Sequence, residues 1–187
     1  KVWMIRDCGN GTGWITRYKG EDVDVVFPEY VCGIKIRGID NRTGAVPKNY
    51  LSIKSIYLPS GYERIGNMAF AGCSSLKSIN IPDTVEVIGA KAFMECSSLK
   101  SVVLPSKLES ITEWTGKWMF RDCTNLEDVY VLNKEWSITG SAAFRGCSKL
   151  KIHAQEGAAI ESAVKKNQFK ILTEEEKDKI WFLLSQP

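Results

Sequence analysis

Phe70, Phe93, Phe120 and Phe144 each sit in the same eight-residue context, and this recurrence constrains the fold more than any other feature of the chain. The copies are Ala69-Phe70-Ala71-Gly72-Cys73-Ser74-Ser75-Leu76, Ala92-Phe93-Met94-Glu95-Cys96-Ser97-Ser98-Leu99, Met119-Phe120-Arg121-Asp122-Cys123-Thr124-Asn125-Leu126 and Ala143-Phe144-Arg145-Gly146-Cys147-Ser148-Lys149-Leu150. Steps of 23, 27 and 24 residues separate them, whether measured on Phe, Cys or Leu. A unit of this length cannot bury its own apolar side, so successive units must stack into a quasi-one-dimensional solenoid.

Within one unit, Leu76-Lys77-Ser78-Ile79-Asn80-Ile81 reads as a short strand with Leu76, Ile79 and Ile81 inward, ended by Pro82, which lacks a ladder donor. Six residues beyond Pro59, Pro82, Pro105 and Leu132 come Ile65, Ile88, Ile111 and Ile138. Ile88-Gly89 begins a turn toward Ala92-Phe93. The spacing of Phe93, Cys96 and Leu99 at i, i+3 and i+6 predicts a short helical turn returning to the next strand. Phe70, Phe93, Phe120 and Phe144 then stack as an apolar spine. The third copy carries four extra residues that hold Trp114, Gly116 and Trp118; the fourth carries one.

The ends differ from the repeats. Val2–Asp7 and Trp14–Tyr18 flank a Gly- and Asn-rich stretch, a hairpin pattern able to cover the first coil's edge. Val25 to Pro28 and Ile34, Ile36 and Ile39 read as a degenerate first coil, and 41–49 as an irregular loop. Gly157 to Phe169 reads as a short helix. Thr173 followed by Glu174, Glu175 and Glu176 is a capping box opening a second helix with Ile180, Trp181, Leu183 and Leu184 on its apolar side. The expected organisation is one domain: a cap and degenerate coil over 1–48, repeats over 49–156, and a helical cap over 157–187.

At 44% hydrophobic and 25% charged, the chain has the composition of a globular domain. Its net charge of +3 is too small to point to nucleic acid, and no apolar run reaches the roughly 18 residues of a membrane helix. No signal peptide is visible, and a start at Lys1 without Met reads as a mature or trimmed chain. Cys73, Cys96, Cys123 and Cys147 recur at one place in the coil. Stacked coils set equivalent residues about 4.8 Å apart with parallel Cβ directions, whereas a disulfide needs converging Cβ atoms at about 3.8 Å. These four are therefore expected as buried free thiols, leaving Cys8 and Cys32 as the pair that could bridge.

These residues resemble the BspA-type leucine-rich-repeat family. The matching texture is Ile81-Pro82, Ile88-Gly89, Ala92-Phe93 and Cys96-Ser97-Ser98-Leu99. The entry (Ile15 to Gly20, Asp24 to Pro28, Gly33-Ile34) and the exit (Glu156-Gly157, Ala163 to Asn167) are also similar, so the resemblance covers residues 14–170. It implies an α/β leucine-rich-repeat solenoid of right-handed coils, with short parallel strands on one face and helical turns on the other. It also implies a bacterial surface or secreted protein, some relatives of which adhere to host matrix proteins, and it supplies no shared catalytic residues.

With Leu76, Ile79 and Ile81 inward, three outward columns follow: Lys54, Lys77, Lys100, Glu127; Ser55, Ser78, Ser101, Asp128; and Tyr57, Asn80, Val103, Tyr130. A row of lysines one rung apart suits an acidic strip on a partner, although each lysine alone reads better as a solvated residue that discourages edge pairing. Trp114 and Trp118 are candidate aromatic anchors, or packing over the next coil. Trp136 and Trp181 read as packing. The candidate partner-binding set is thus Lys54, Lys77, Lys100, Tyr57, Asn80, Tyr130, Trp114 and Trp118.

Signals for chemistry are weak. His153 is the only histidine and lies after the last repeat, where a structural role fits best. Glu109 and Glu113 have no second functional group placed beside them, Gly9-x-Gly11-x-Gly13 departs from the dinucleotide fingerprint at Trp14, and no Cys-x-x-Cys occurs. No catalytic residue, metal or cofactor is expected. The expected function is non-catalytic protein binding, as adhesion or recognition of a host or matrix protein, with no nucleic acid and no membrane insertion. A structural spacer or an intracellular scaffold is the alternative, and a hydrolase with an unrecognised site the remote one.

Overall fold

The computed structural model describes residues 2–40, 48–109, 117–138, 141–164 and 168–185. Strands β1 (Trp3–Asp7) and β2 (Thr12–Tyr18) pair antiparallel across a turn in which Asp7 Oδ1 accepts the Gly9 N–H at 2.8 Å. Then come β3 (Asp24–Val26), β4 (Tyr30–Val31) and β5 (Ile34–Ile39). A 3₁₀ helix, Lys48–Ser52, occupies the end of the stretch that the sequence presents as irregular; 41–47 lie outside the described residues.

Each coil then contributes a first strand, and the first two also a second, shorter one. First strands are β6 (Ser55–Tyr57), followed by a second, β7 (Arg64–Ile65); β8 (Ser78–Asn80), followed by β9 (Val87–Ile88); and β10 (Ser101–Leu104), β11 (Asp128–Val131) and β12 (Lys151–Ala154). The chain closes with a 3₁₀ helix at Ala159–Ala163, β13 (Phe169–Ile171) and α1 (Glu174–Ser185). The first strands stack in parallel, β3-β6-β8 and β10-β11-β12-β13, with Ile56 opposite Ile79 and Val102 opposite Val129 opposite Ile152. A second parallel stack runs β2-β5-β7-β9. Ile65 and Ile88 are therefore strand residues, where their neighbouring glycines suggest the start of a turn.

The third side of the coil is not helical in the α sense. Ala69, Ala71, Cys73 and Leu76 donate to carbonyls three residues back, while the alternating Met68, Phe70 and Gly72 donate to Ala90, Ala92 and Met94 of the next coil. Lys91, Phe93 and Glu95 repeat this toward Lys117, Met119 and Arg121. The result is a chain of linked tight turns bonded across coils. It requires left-handed backbone at Met68, Lys91 and Trp118, two residues before Phe70, Phe93 and Phe120, and at Gly72, Glu95, Asp122 and Gly146, two residues after each Phe. Left-handed non-glycine residues are costly alone; here all but Trp118 and Gly146 donate a cross-coil bond seen in the structure.

Inside, Phe70, Phe93, Phe120 and Phe144 stack nearly parallel, with ring centroids 5.6, 5.2 and 5.6 Å apart. Phe27 caps the spine edge-on at 5.8 Å from Phe70, and Trp3 lies against Phe27. The cysteine column runs beside it as buried free thiols. Cys96, Cys123 and Cys147 donate their S–H to the Phe carbonyls of the preceding coil at 3.2, 3.0 and 3.1 Å, so they are small hydrophobes with a satisfied donor. Cys8 and Cys32 are exposed and unbridged.

At the C-terminus the sequence-predicted helix over 157–169 resolves into the 3₁₀ turn at Ala159–Ala163 and, at its end, strand β13, which continues the parallel stack beside β12. The capping box is present: Thr173 Oγ1 accepts the Glu176 N–H at 3.2 Å, and Glu176 Oε2 accepts the Thr173 N–H at 3.0 Å.

Candidate binding surfaces

Alternation along the first strands decides what this face presents. Ile56, Ile79, Val102, Val129 and Ile152 point inward and are buried. Their neighbours point outward in columns: the register sets Ser55 beside Ser78 and Ser101 beside Asp128 and Lys151, and likewise Tyr57 beside Asn80 and Val103 beside Tyr130 and His153, and the 23-residue repeat step joins the two runs. Lys54, Lys77, Lys100 and Glu127 precede the strands and are all exposed. The Lys77 N–H donates to the Lys54 carbonyl and the Glu127 N–H to that of Lys100, so these side chains leave the backbone one rung apart. Among the described residues, none of the three ammonium groups has a carboxylate partner.

The other members of the face are less free. Asn80 Oδ1 accepts the Leu58 N–H at 2.7 Å and its amide donates to the Leu58 carbonyl at 3.0 Å. Both ends of the side chain are thus committed to the preceding coil. Tyr57 and Val103 are half-buried, and Tyr130 stacks on the His153 ring at 4.6 Å. His153 is only 3% exposed despite its outward position. Its Nε2 lies 2.7 Å from Asp128 Oδ1, and its Nδ1 is 3.0 Å from Glu176 Oε1 of α1, an ion-pair distance without hydrogen-bond geometry. The C-terminal helix thus folds over the last rungs of the strand face. The structural reading of this histidine holds, but its pairing with Asp128 and Glu176 escapes sequence reasoning. The clue is a one-residue shortening after Leu150, which sets Lys151 rather than Ile152 opposite Asp128.

Trp118 lies on the turn side, half-buried, with Lys91 Nζ, Lys117 Nζ and Arg121 Cζ at 4.9, 5.0 and 5.3 Å from its ring centroid. Trp114, Ile111 and Glu113 lie outside the described residues, as does the side chain of Trp181. Trp136 is packing: it is buried and its Nε1–H donates to the Glu109 carbonyl at 3.1 Å. Among the described residues no group of three His, Cys, Asp or Glu side chains could hold a metal ion, and no helix is long and apolar enough to cross a membrane.

Comparison with known proteins gives this arrangement a family. No relative among curated proteins matches the chain. The crystal structure of a T. pallidum leucine-rich repeat protein is similar over 99% of this chain and 94% of its own, with a TM-score of 0.69 and 25% identity. A leucine-rich cell surface protein from Faecalibacterium prausnitzii shares the fold at a TM-score of 0.57 and 21% identity, over 82% of this chain and 53% of its own. The pneumococcal vaccine antigen PcpA does so at 0.56 and 19%, over 90% and 40%. The model of the BspA-type leucine-rich repeat region matches residues 48–170 in six copies. The match spans the stacked coils that carry the Phe and Cys columns, and the chain belongs to the BspA-type leucine-rich repeat family.

Proposed function

We propose that this chain is a non-catalytic protein-recognition module, presented outside the cell, that holds an acidic strip of a host or matrix protein against its strand face. The lysine column carries the reading. Lys54, Lys77 and Lys100 are exposed, repeat once per coil on a rigid backbone ladder, and have no carboxylate partner among the described residues. A fixed row of like charges is unfavourable unless a complementary row meets it, and such rows set specificity and association rate. Tyr57 and Tyr130 offer aromatic surface on the same face, while Asn80 contributes by holding the coil in register. A cell-surface protein among the structural neighbours supports the extracellular reading. In this reading the coils wind right-handed, the β1–β2 hairpin covers the first coil's edge, and residues 49–156 form the recognition stack between two caps.

The test is binding of the purified chain to a panel of extracellular-matrix proteins and mucins at two salt concentrations, beside the triple variant Lys54→Glu/Lys77→Glu/Lys100→Glu. Saturable binding that weakens with salt and falls by roughly tenfold or more in the variant, about 1.4 kcal/mol, is the expected outcome. Absence of binding across the panel would leave the chain a spacer or scaffold module.

A further inference from the structure

The turn side carries a second concentration of positive charge, unrelated to the lysine column. Lys91 and Trp118 occupy equivalent positions in successive coils, and the Lys91 N–H donates to the Lys117 carbonyl at 2.9 Å. Lys91, Lys117 and Arg121 therefore gather around one indole ring. Ring-face attraction offsets some of their mutual repulsion, but among the described residues only Arg121 has a carboxylate, Asp122 at 2.9 Å. Glu95, the other acid nearby, forms no ion pair among the described residues. One coil further on, Trp118 also lines a groove of about 1090 Å³ with Arg145, Lys149 and Lys151. Among the described residues no Asp or Glu lines that groove; Lys149 is held by the neutral Asn125 amide oxygen at 2.9 Å.

We propose that this cluster, Lys91, Lys117, Trp118 and Arg121 continuing into Arg145 and Lys149, is a binding site for an anionic polysaccharide bearing sulfate or carboxylate groups. Charge selects a polyanion and spacing selects its kind. Each of three successive coils contributes cations, Lys91, then Lys117 and Arg121, then Arg145 and Lys149, and successive coils on this side are 5.2 and 5.6 Å apart at the Phe spine. An extended acidic peptide presents same-side carboxylates every roughly 6.6–6.8 Å and falls out of step within two rungs. A chain of pyranose units, each about as long as one rung is wide, stays in step. Trp118 supplies an apolar wall among the cations, suited to the carbon-bound faces of a sugar ring.

The test titrates the intact chain with a size-defined heparin hexasaccharide, with poly-glutamate and a single-stranded oligonucleotide of matched charge as competitors. The expected result is salt-dependent binding reduced at least tenfold in Lys91→Glu/Lys117→Glu, partly reduced in Lys91→Met/Lys117→Met, and changed less than twofold in the strand-face triple variant. Binding also shifts indole emission in the wild type but not in Trp118→Phe. Three results would overturn the proposal: hexasaccharide binding untouched by the Lys91/Lys117 changes in a variant with unaltered near-ultraviolet circular dichroism, equal loss in the strand-face variant, or poly-glutamate or oligonucleotide binding as tight as the saccharide's. Because the substitutions that test the two surfaces share no residue, the strand-face reading and this one fail independently.

Discussion

Coils stack through parallel strand ladders and through linked turns, and the first-strand side and the turn side obey different rules. On the strand side, parallel β ladders accept any residue that alternates, so Tyr57, Asn80, Val103, Tyr130 and His153 fill one outward column without disturbing the stack. On the turn side, cross-coil bonds run through residues held in left-handed backbone, above stacked phenylalanines and buried thiols. Here the inside is nearly invariant and the outside carries the charge cluster. The turn side stabilises the solenoid, and the strand side is free to vary.

The largest effect that separates the sides is kinetic. Cys73, Cys96, Cys123 and Cys147 are buried, while Cys8 and Cys32 are exposed. Contact with the Cys123 thiol and then burial push the Cys147 thiol up, away from the reactive thiolate. The native protein should therefore release two thiols promptly to an alkylating reagent and six when unfolded. The four buried ones should react on the order of 10³-fold more slowly or less, through opening of the stack. Six prompt thiols in the native protein would mean the turn side opens by itself.

The next effect is energetic. Phe93 is fully buried at the centre of the spine, and Phe93→Ala should cost about 3–5 kcal/mol through lost burial and a cavity. Tyr57→Ala, on the half-buried strand face, should cost about 1 kcal/mol or less. Urea midpoints at constant m-value provide the comparison; equal losses would remove the distinction between the sides. Smaller changes of opposite sign should come from one column of the turn side. Gly72 has φ of +73° and open space where a Cβ would lie. Gly72→Ala thus adds only backbone strain, about 1–2 kcal/mol. Glu95 occupies the same place at φ +62°, and Glu95→Gly should stabilise by about 0.5–1 kcal/mol.

How much of this could be read from the sequence follows the same division. The buried columns were legible because Phe, Cys and Leu recur in step, and repetition in register is a stronger signal than propensity. The outward columns followed from strand alternation. The second strands were not legible, because Arg64–Ile65 and Val87–Ile88 are two residues long and show no alternation. Nor were the linked turns: Met68, Lys91 and Trp118 are not residues that announce left-handed backbone, and the cross-coil bonds of Met68 and Lys91 form only once the coils stack. The charge cluster around Trp118 depends on the stacking of successive coils, and the burial of His153 on α1 folding back, both of which are contacts between distant segments.

That last contact yields the smallest and most local effect. The Glu176 carboxyl is held below its ordinary value of 4.5, chiefly by the Thr173 N–H it accepts, against the opposing effect of burial, with the neighbouring His153 adding to the lowering. A depressed folded-state value means that its stabilisation is present above pH 4.5 and is lost as pH falls through the folded value. Glu176→Gln keeps the geometry of the capping box but removes the charge. It should weaken α1 by about 0.5–1 kcal/mol at pH 7, and the gap between variant and wild type should close as the pH is lowered past 4.5. Exchange of the Glu176 and Lys177 amides, both bonded to Thr173, reports this directly. Amides of the β11–β12 ladder should not respond, because the strand stack does not depend on the helix that covers it. Matched loss of protection in β11 and β12 would show instead that α1 and the last rungs of the strand face open as one unit.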